Sequence, residues 1–291
     1  LIVNTKARRG QEWFEQAQVC LRESGVRIDD AHALDDPAGL PDAVRSAMLR
    51  GVKRVIVGGG DGTFRTVANL LARTDVTLGV LPLGTVNDFA RNLGIEASVE
   101  AACRVIAEGY TARIDVGQAN DDIFLLTASI GFAAQSQTAL KPQLKRMFGP
   151  FGYLVASLVA LRRLRTLQVT IRANDHTEAY EVLQAGVIKS HEWMGGKCEI
   201  PGMSLEAGCL AFYALPRQAG LTFLRTARDL MRGRFYQTPG LRSFSTREVT
   251  LETPKPQPMV LDGDLCGQTP TRICVLPEAL RVFVPASFPN V

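Results

Sequence analysis

The segment Gly58-Gly59-Gly60-Asp61-Gly62-Thr63 constrains this chain more than any other, and Gly84-Thr85-Val86-Asn87-Asp88 echoes it. Each follows an apolar run that reads as a strand, Val55-Ile56-Val57 before the first and Leu78-Gly79-Val80-Leu81 before the second. Thr63 opens a helical pattern with apolar residues at Phe64, Val67, Ala68, Leu70 and Leu71. A strand, a glycine turn and a helix start together hold phosphates. The glycines let the backbone come close, and unpaired N–H groups at the helix start carry partial positive charge. A plain tight turn needs one or two glycines, whereas here Gly58, Gly59, Gly60 and Gly62 surround a single carboxylate. No Gly-Lys-Ser/Thr follows, which excludes a Walker A loop, and Thr63 stands where a dinucleotide fingerprint needs its third glycine. A carboxylate beside a polyphosphate needs a cation or a proton between them. Asp61 therefore implies Mg²⁺ or a substrate hydroxyl, and with it phosphoryl transfer.

The remaining composition narrows the class. With 291 residues, 46% hydrophobic and 21% charged, the chain has room for two domains or one large one. A formal charge of +4, with no zinc-finger spacing and no aromatic-basic motif, gives no reason to expect nucleic acid as a partner. The six cysteines form no Cys-x-x-Cys pair and read as reduced, mostly buried thiols of a cytosolic protein, and the three histidines have no metal-ligand spacing. Phe151 to Leu161, the longest markedly apolar stretch, is too short to span a bilayer. Leu1-Ile2-Val3-Asn4 already reads as a strand, so no signal peptide is expected, although a chain that starts without Met is expected to lack a few residues.

Strand patterns at 1–4, 26–30, 53–57 and 78–82 alternate with helical patterns at 10–24, 40–50, 63–73 and 98–108. This alternation predicts a parallel sheet covered by helices, with ligands outside the carboxyl ends of the strands, where both glycine loops fall. From about residue 111 the pattern changes. Ile114–Gly117 and Ile123–Thr127 read as consecutive strands, helical stretches follow at 134–146 and 150–164, and short strand-like runs come at 167–173, 179–188, 209–215, 247–252, 259–262, 272–276 and 280–284. One more helix is expected at 219–232. Many short strands separated by turn residues predict an antiparallel sandwich or partly closed barrel.

Gly-Gly-Asp-Gly-Thr at 59–63, followed by Pro82-Leu83-Gly84-Thr85-Val86-Asn87-Asp88-Phe89-Ala90-Arg91, resembles the catalytic domain shared by diacylglycerol kinases, sphingosine kinases and YegS-type bacterial lipid kinases. Leu261-Asp262-Gly263-Asp264, with Thr269-Pro270 behind it, resembles the family's third motif, Asp-Gly-Glu with its trailing Thr-Pro. NAD kinases and phosphofructokinases share only the first element in this form. The resemblance implies an α/β nucleotide domain over residues 1–112 and a β-rich acceptor domain over 113–291, whose last strand can return to the first domain. The active site is expected in the cleft between them. It also implies ATP and Mg²⁺, a lipid acceptor such as diacylglycerol, and a cytoplasmic protein that meets the membrane peripherally when active. Two other functions stay open: a nucleotide- or lipid-binding regulator with weak catalysis, and an NAD-kinase-like enzyme with a soluble acceptor.

Within that frame Gly58, Gly59, Gly60, Gly62, Thr63, Gly84, Thr85, Asn87 and Asp264 are expected around the nucleotide, helped by Asn4, Thr5 and Lys6 at the end of the first strand. Asn87 can equally serve its own turn. Asp61 and Asp88 are expected to share a magnesium ion, directly or through water. Asp262 resembles the proposed general base, with Asp61 as its rival. The chain also departs from the family pattern: Asn4-Thr5-Lys6-Ala7-Arg8 lacks the Pro and Gly of the usual segment, Asp264 replaces Glu, and Ala133, Ala207 and Ala211 replace acids. Some bacterial members hold a structural Mg²⁺ near this last region, for which the chain offers Glu206. Basic residues flank the apolar run at 151–161, and Arg225, Arg228, Arg232, Arg234, Arg242 and Arg247 form a second cluster. Such clusters suit either anionic headgroups or the solvated face of a helix.

Overall fold

In the computed structural model, residues 1–5, 10–139, 166–193, 198–200, 202–217 and 238–289 are described, with isolated positions 222, 225, 226, 229, 234 and 236. The first half alternates as its periodicity requires: β1 (Ile2–Asn4), α1 (Gly10–Glu23), β2 (His32–Leu34), α2 (Leu40–Leu49), β3 (Arg54–Gly59), α3 (Asp61–Leu71), β4 (Thr77–Pro82), α4 (Asp88–Asn92) and α5 (Val99–Glu108). The four strands lie parallel in the order β2-β1-β3-β4. All six residues of β4 are buried, as expected of a strand covered on both faces. Helix α1 packs with α5, and α2 with α3. Phe64, Val67, Ala68 and Leu71 of α3 turn inward, where the 3.6-residue period places them.

One expected strand is corrected. Residues 26–30 form no strand; the Val26 N–H donates to the Leu21 carbonyl and closes the end of α1, and the strand proper is His32–Leu34. Val26 and Ile28 pack on the core as part of that closing turn.

The second half contains β5 (Thr111–Ala119), β6 (Asp122–Phe124), β7 (Thr127–Gly131), α6 (Phe132–Ala139), β8 (Leu167–Ala173), β9 (His176–Ile188), β10 (Glu192–Trp193), β11 (Cys198–Glu199), β12 (Leu210–Pro216), β13 (Arg242–Thr246), β14 (Glu248–Glu252), β15 (Pro258–Leu261), β16 (Asp264–Gln268) and β17 (Thr271–Phe283). Its pairings are antiparallel. The helices expected over 150–164 and 219–232 lie wholly or mostly outside the described residues. Among the described residues no helix is long and apolar enough to cross a membrane.

The two runs expected at 272–276 and 280–284 form one strand. The first part of β17 pairs antiparallel with β14, its last residues pair parallel with β4, and β5 runs antiparallel along both. Its register shifts between Leu276 and Leu280, where Glu278 takes a φ of 50°. A bulge re-aims the strand at the point where its pairing changes from antiparallel with β14 to parallel with β4. A buried ion pair sits against that bulge. Asp115 of β5 lies 3.2 Å from the ammonium of Lys189, with side chains 4% and 0% exposed. Asp115 also accepts the N–H groups of Gly208 at 2.7 Å and Glu278 at 3.1 Å, while Lys189 donates to the Ser204 carbonyl at 2.7 Å. Burial pulls Lys189 below its ordinary pKa, against the attraction of Asp115.

Asn92, 2% exposed at the end of α4, is the second tie between the halves. Its amide nitrogen donates to the Asp88 and Glu192 carbonyls, and its oxygen accepts the N–H groups of His191 and Glu192.

Removing one partner of a buried pair leaves the other charge uncompensated, so Lys189→Met is expected to destabilise the fold by about 3–5 kcal/mol in urea unfolding. Asn92→Ala strands buried backbone groups. It is expected to cost about 2–3 kcal/mol, and to speed amide hydrogen exchange at 191–193 more than in the strands around it.

Candidate active site

The two glycine loops meet because neither carries a side chain at the contact. A Cβ on Gly84 would lie 2.7 Å from the Gly60 Cα, and one on Gly60 would lie 3.3 Å from the Gly84 Cα. Helix α3 begins directly after, with Gly60 as its N-cap residue and no side chain capping it. Its first N–H groups, on Asp61, Gly62 and Thr63, are the ones that an α-helix leaves without intrahelical partners. Gly58 and Gly59 are buried; Val3 and Leu83 crowd the first, and the Thr63 side chain lies against the second. Thr63 thus packs under its own loop. Beneath both loops the buried rings of Phe64 and Phe89 lie 5.8 Å apart, an apolar floor shared by α3 and α4.

Asp61 ties the loops together electrostatically. Its carboxylate accepts the N–H of Asp88 at 3.2 Å and of Phe89 at 2.9 Å, so it caps the start of α4. Asp61 and Asp88 are therefore neighbours, as their loops suggest, but the link runs from one carboxylate to the other residue's backbone. Each Asp61 oxygen keeps one acceptor position. The Asp88 side chain is 8% exposed and faces Arg91 at 3.9 Å. Asn87 has left-handed backbone, φ 54°, and its side chain grips Gly84 at both ends: Gly84 N–H to Oδ1 at 2.7 Å, and Nδ2 to the Gly84 carbonyl at 2.9 Å. Its visible work is turn geometry. Thr85 and Val86 stand exposed at the tip of the same loop, and a cavity of about 230 Å³ lies beside Asn87 and Arg91.

At the end of β1, Thr5 donates its hydroxyl to Asp35 at 2.8 Å, and Asn4 closes the strand. Lys6 and Arg8 lie outside the described residues.

The third motif arrives on the β15–β16 hairpin. Asp262 and Gly263 form its two-residue turn, with φ of 47° and 92°, the left-handed pair that Asp-Gly supplies to a tight hairpin. Asp262 turns its carboxylate onto the segment between β6 and β7. Oδ2 accepts the Leu125 N–H at 2.7 Å, and Oδ1 accepts Leu126 and Thr127 at 2.8 and 2.9 Å. One acceptor position remains, on Oδ2. Burial pushes this carboxyl up to about 6, against the three N–H groups and Arg65, which favour its anion. Asp264 comes to the start of α3: a Cβ on Gly62 would lie 3.3 Å from its Oδ2. The three motifs thus converge on one cleft.

Arg65 was not among the residues singled out from the sequence. It lies one helical turn beyond Asp61, hence on the same face of α3, and that spacing was the available signal. Its guanidinium, 14% exposed, donates to Asp264 at 3.1 Å. Burial disfavours its charge, but Asp264 and then Asp262 outweigh that and hold it protonated.

Among the described residues no group of three or more His, Cys, Asp or Glu is arranged to hold a metal ion. Asp61, Asp88 and Asp264 nevertheless border the glycine loops as hard oxygen donors. Hard oxygen donors are the type that Mg²⁺ takes, one or two carboxylates at a time, besides phosphate and water. Glu206, expected as a second metal ligand, adds its charge to the field on the buried Lys189.

Comparison with known proteins bears on the family and the fold. Residues 1–119 match the diacylglycerol kinase catalytic domain, and residues 127–284 match the YegS C-terminal NAD kinase beta sandwich-like domain. A Pseudomonas aeruginosa protein named "Probable lipid kinase YegS-like" is 30% identical over 296 residues, covering 99% of this chain and 95% of its own. The diacylglycerol kinase of Bacillus subtilis is 30% identical over 283 residues, covering 95% and 93%. The crystal structure of a diacylglycerol kinase from Bacillus anthracis shares the fold at a TM-score of 0.76, with 23% identity over 98% of this chain and 96% of that one. Matches over both halves and relatives at 30% identity along nearly the whole length show that this chain belongs to the YegS-like and diacylglycerol kinase family.

Proposed function

We propose that the protein is an ATP- and Mg²⁺-dependent lipid kinase that transfers the γ-phosphoryl group of ATP to a hydroxyl of diacylglycerol or a related long-chain alcohol. The observation that carries this reading is the convergence of the two glycine loops and the Asp262–Asp264 hairpin on one cleft. Residues 1–112 would hold the nucleotide and 113–291 the acceptor. The N–H groups at the start of α3 and the Gly84–Thr85 backbone cradle the phosphates, with Asn4, Thr5 and Lys6 at the rim. Mg²⁺ at Asp61, Asp88 and Asp264 would neutralise phosphate charge. Asp61 and Asn87 hold the two loops at a fixed separation, and Arg65 holds Asp264 over Gly62.

Asp262 is the base in this proposal. The acceptor hydroxyl oxygen forms a bond to the γ-phosphorus as the bridging oxygen of ADP leaves, and the hydroxyl proton passes to the free position on Asp262 Oδ2. A carboxyl raised to about 6 is ionised at neutral pH and still basic enough to take that proton. Val86 and Leu265, 43% and 46% exposed, flank the cleft and suit contact with a lipid surface.

The test is transfer of labelled γ-phosphate from ATP to mixed micelles of diacylglycerol, phosphatidylglycerol or a sphingoid base. Asp262→Asn is expected to lower the rate by about 10²–10⁴-fold while ATP still binds. A variant that keeps the parent rate would give the base role to Asp61. A parent that binds Mg·ATP yet labels no lipid would be the regulator, and labelling of NAD instead would make it NAD-kinase-like.

The pH profile gives an independent check. The base must be ionised, so kcat/KM is expected to rise about tenfold per pH unit below the Asp262 pKa and to level off above it. The bend is expected near pH 6. A bend near pH 4 would remove Asp262 from that role.

A further inference from the structure

A cavity of about 550 Å³ opens far from the glycine loops, where β5, β14 and β17 lie side by side. Arg73, Arg247 and Arg272 line it, together with Glu248, Gln118 and Cys274. Arg73 follows the carboxyl end of α3, so the 11 residues of that helix, roughly 16 Å at 1.5 Å per residue, separate it from the first loop.

The charge in this cavity is unbalanced. Glu248 is engaged by Arg272, which donates from both Nε and a terminal nitrogen, and those bonds hold the Glu248 carboxyl below its ordinary range. Among the described residues the guanidinium groups of Arg73 and Arg247 have no hydrogen bond or ion pair. Three arginines against one glutamate leave two positive charges over the hollow. Unpaired exposed arginines are ordinary on a surface of scattered charges. Here, however, two of them share a cavity with a third whose orientation its glutamate fixes.

The backbone also holds Arg73 in an unusual way. Its φ is 63°, uncommon for a long side chain, and its N–H donates to the Ala279 carbonyl at 2.6 Å. That bond anchors it to the β17 bulge. Leu276 and Pro277 of the bulge and Gly208 complete the wall, and the Gly208 N–H reaches back to Asp115 of the buried ion pair. Guanidinium forks match phosphate oxygens in pairs, and each such bond is charge-assisted. The hollow is open, and its two uncompensated arginines can hold a phosphate with a small polar substituent.

We propose that Arg73, Arg247 and Arg272 form a second site, separate from the glycine-loop cleft, that binds a phosphate group carried on a lipid headgroup or on a small soluble ester. The proposal stands on the cavity itself and does not depend on the kinase reading.

Cys274 in the cavity wall is a built-in reporter. It is half-buried, and Arg272 and Arg73 both act on its thiol. Alkylation of Cys274 by iodoacetamide, followed peptide by peptide in a mass spectrometer, is measured in inorganic phosphate, in glycerol 3-phosphate and in chloride of equal ionic strength. It is measured again with phosphatidylcholine vesicles, with and without phosphatidic acid. A bound phosphate is expected to slow the reaction about threefold or more. The Arg73→Gln/Arg247→Gln double variant, both positions being exposed, is expected to lose the effect. Protection by the soluble anions assigns the site to a small ester; protection only by vesicles with phosphatidic acid assigns it to a headgroup. Equal rates in all five conditions, or protection that survives in the double variant, would overturn the proposal. Amide hydrogen exchange over 274–279, compared between parent and double variant in the same solutions, decides the question without relying on the thiol.

Discussion

The contact on which the architecture turns is the buried pair of Asp115 and Lys189 at the bulge of β17. Bringing two charges out of water is unfavourable, and their attraction offsets it only when the remaining bonding positions are filled. Here the Ser204 carbonyl and the N–H groups of Gly208 and Glu278 fill them. The amide of Glu278 belongs to the residue that breaks the register of β17. The pair therefore stabilises the irregularity that lets one strand of the mixed sheet pair antiparallel with β14 at one end and parallel with β4 at the other. The relative position of the two halves, and with it the width of the cleft, follows from that strand.

Around the cleft the same device recurs: carboxylates are held by backbone N–H groups rather than by other side chains. Asp61 takes two amides from the start of α4, and Asp262 takes three from the segment between β6 and β7. Backbone amides cannot swing away, so both acids are positioned before any ligand arrives. Such donors also favour the anion, while burial favours the neutral acid. At Asp262 burial wins, which raises the carboxyl to about 6. Arg65 and Asp264 add a charged latch from α3 to the hairpin, across the seam that the amides leave open.

The legible elements were those whose burial is two-sided or strictly periodic. β3 and β4 read as apolar runs because both faces are covered, and α3 reads from Phe64, Val67, Ala68 and Leu71. Strand β16 was not legible because its residues are exposed or half-buried and show no alternation, and β13 is similar. Val26 and Ile28 misled for the opposite reason: an apolar run closes the end of α1 instead of entering the sheet. Residues 277–279 fell between two expected strands, although β5 bridges both sides of the bulge and keeps them one.

By itself the sequence determined the glycine loops, the helix that follows the first of them and the α/β-then-β order. Each of these rests on local steric freedom or local periodicity, which neighbouring residues settle among themselves. Only the tertiary structure decided that Gly60 would touch Gly84, that Asp61 would cap another helix, that Asp262 would hold a distant segment and that Lys189 would be a buried cation. Those outcomes join residues far apart in the chain. They depend on which strands pair and on how deeply each charge is withdrawn from water, and neither is encoded in any short stretch of residues.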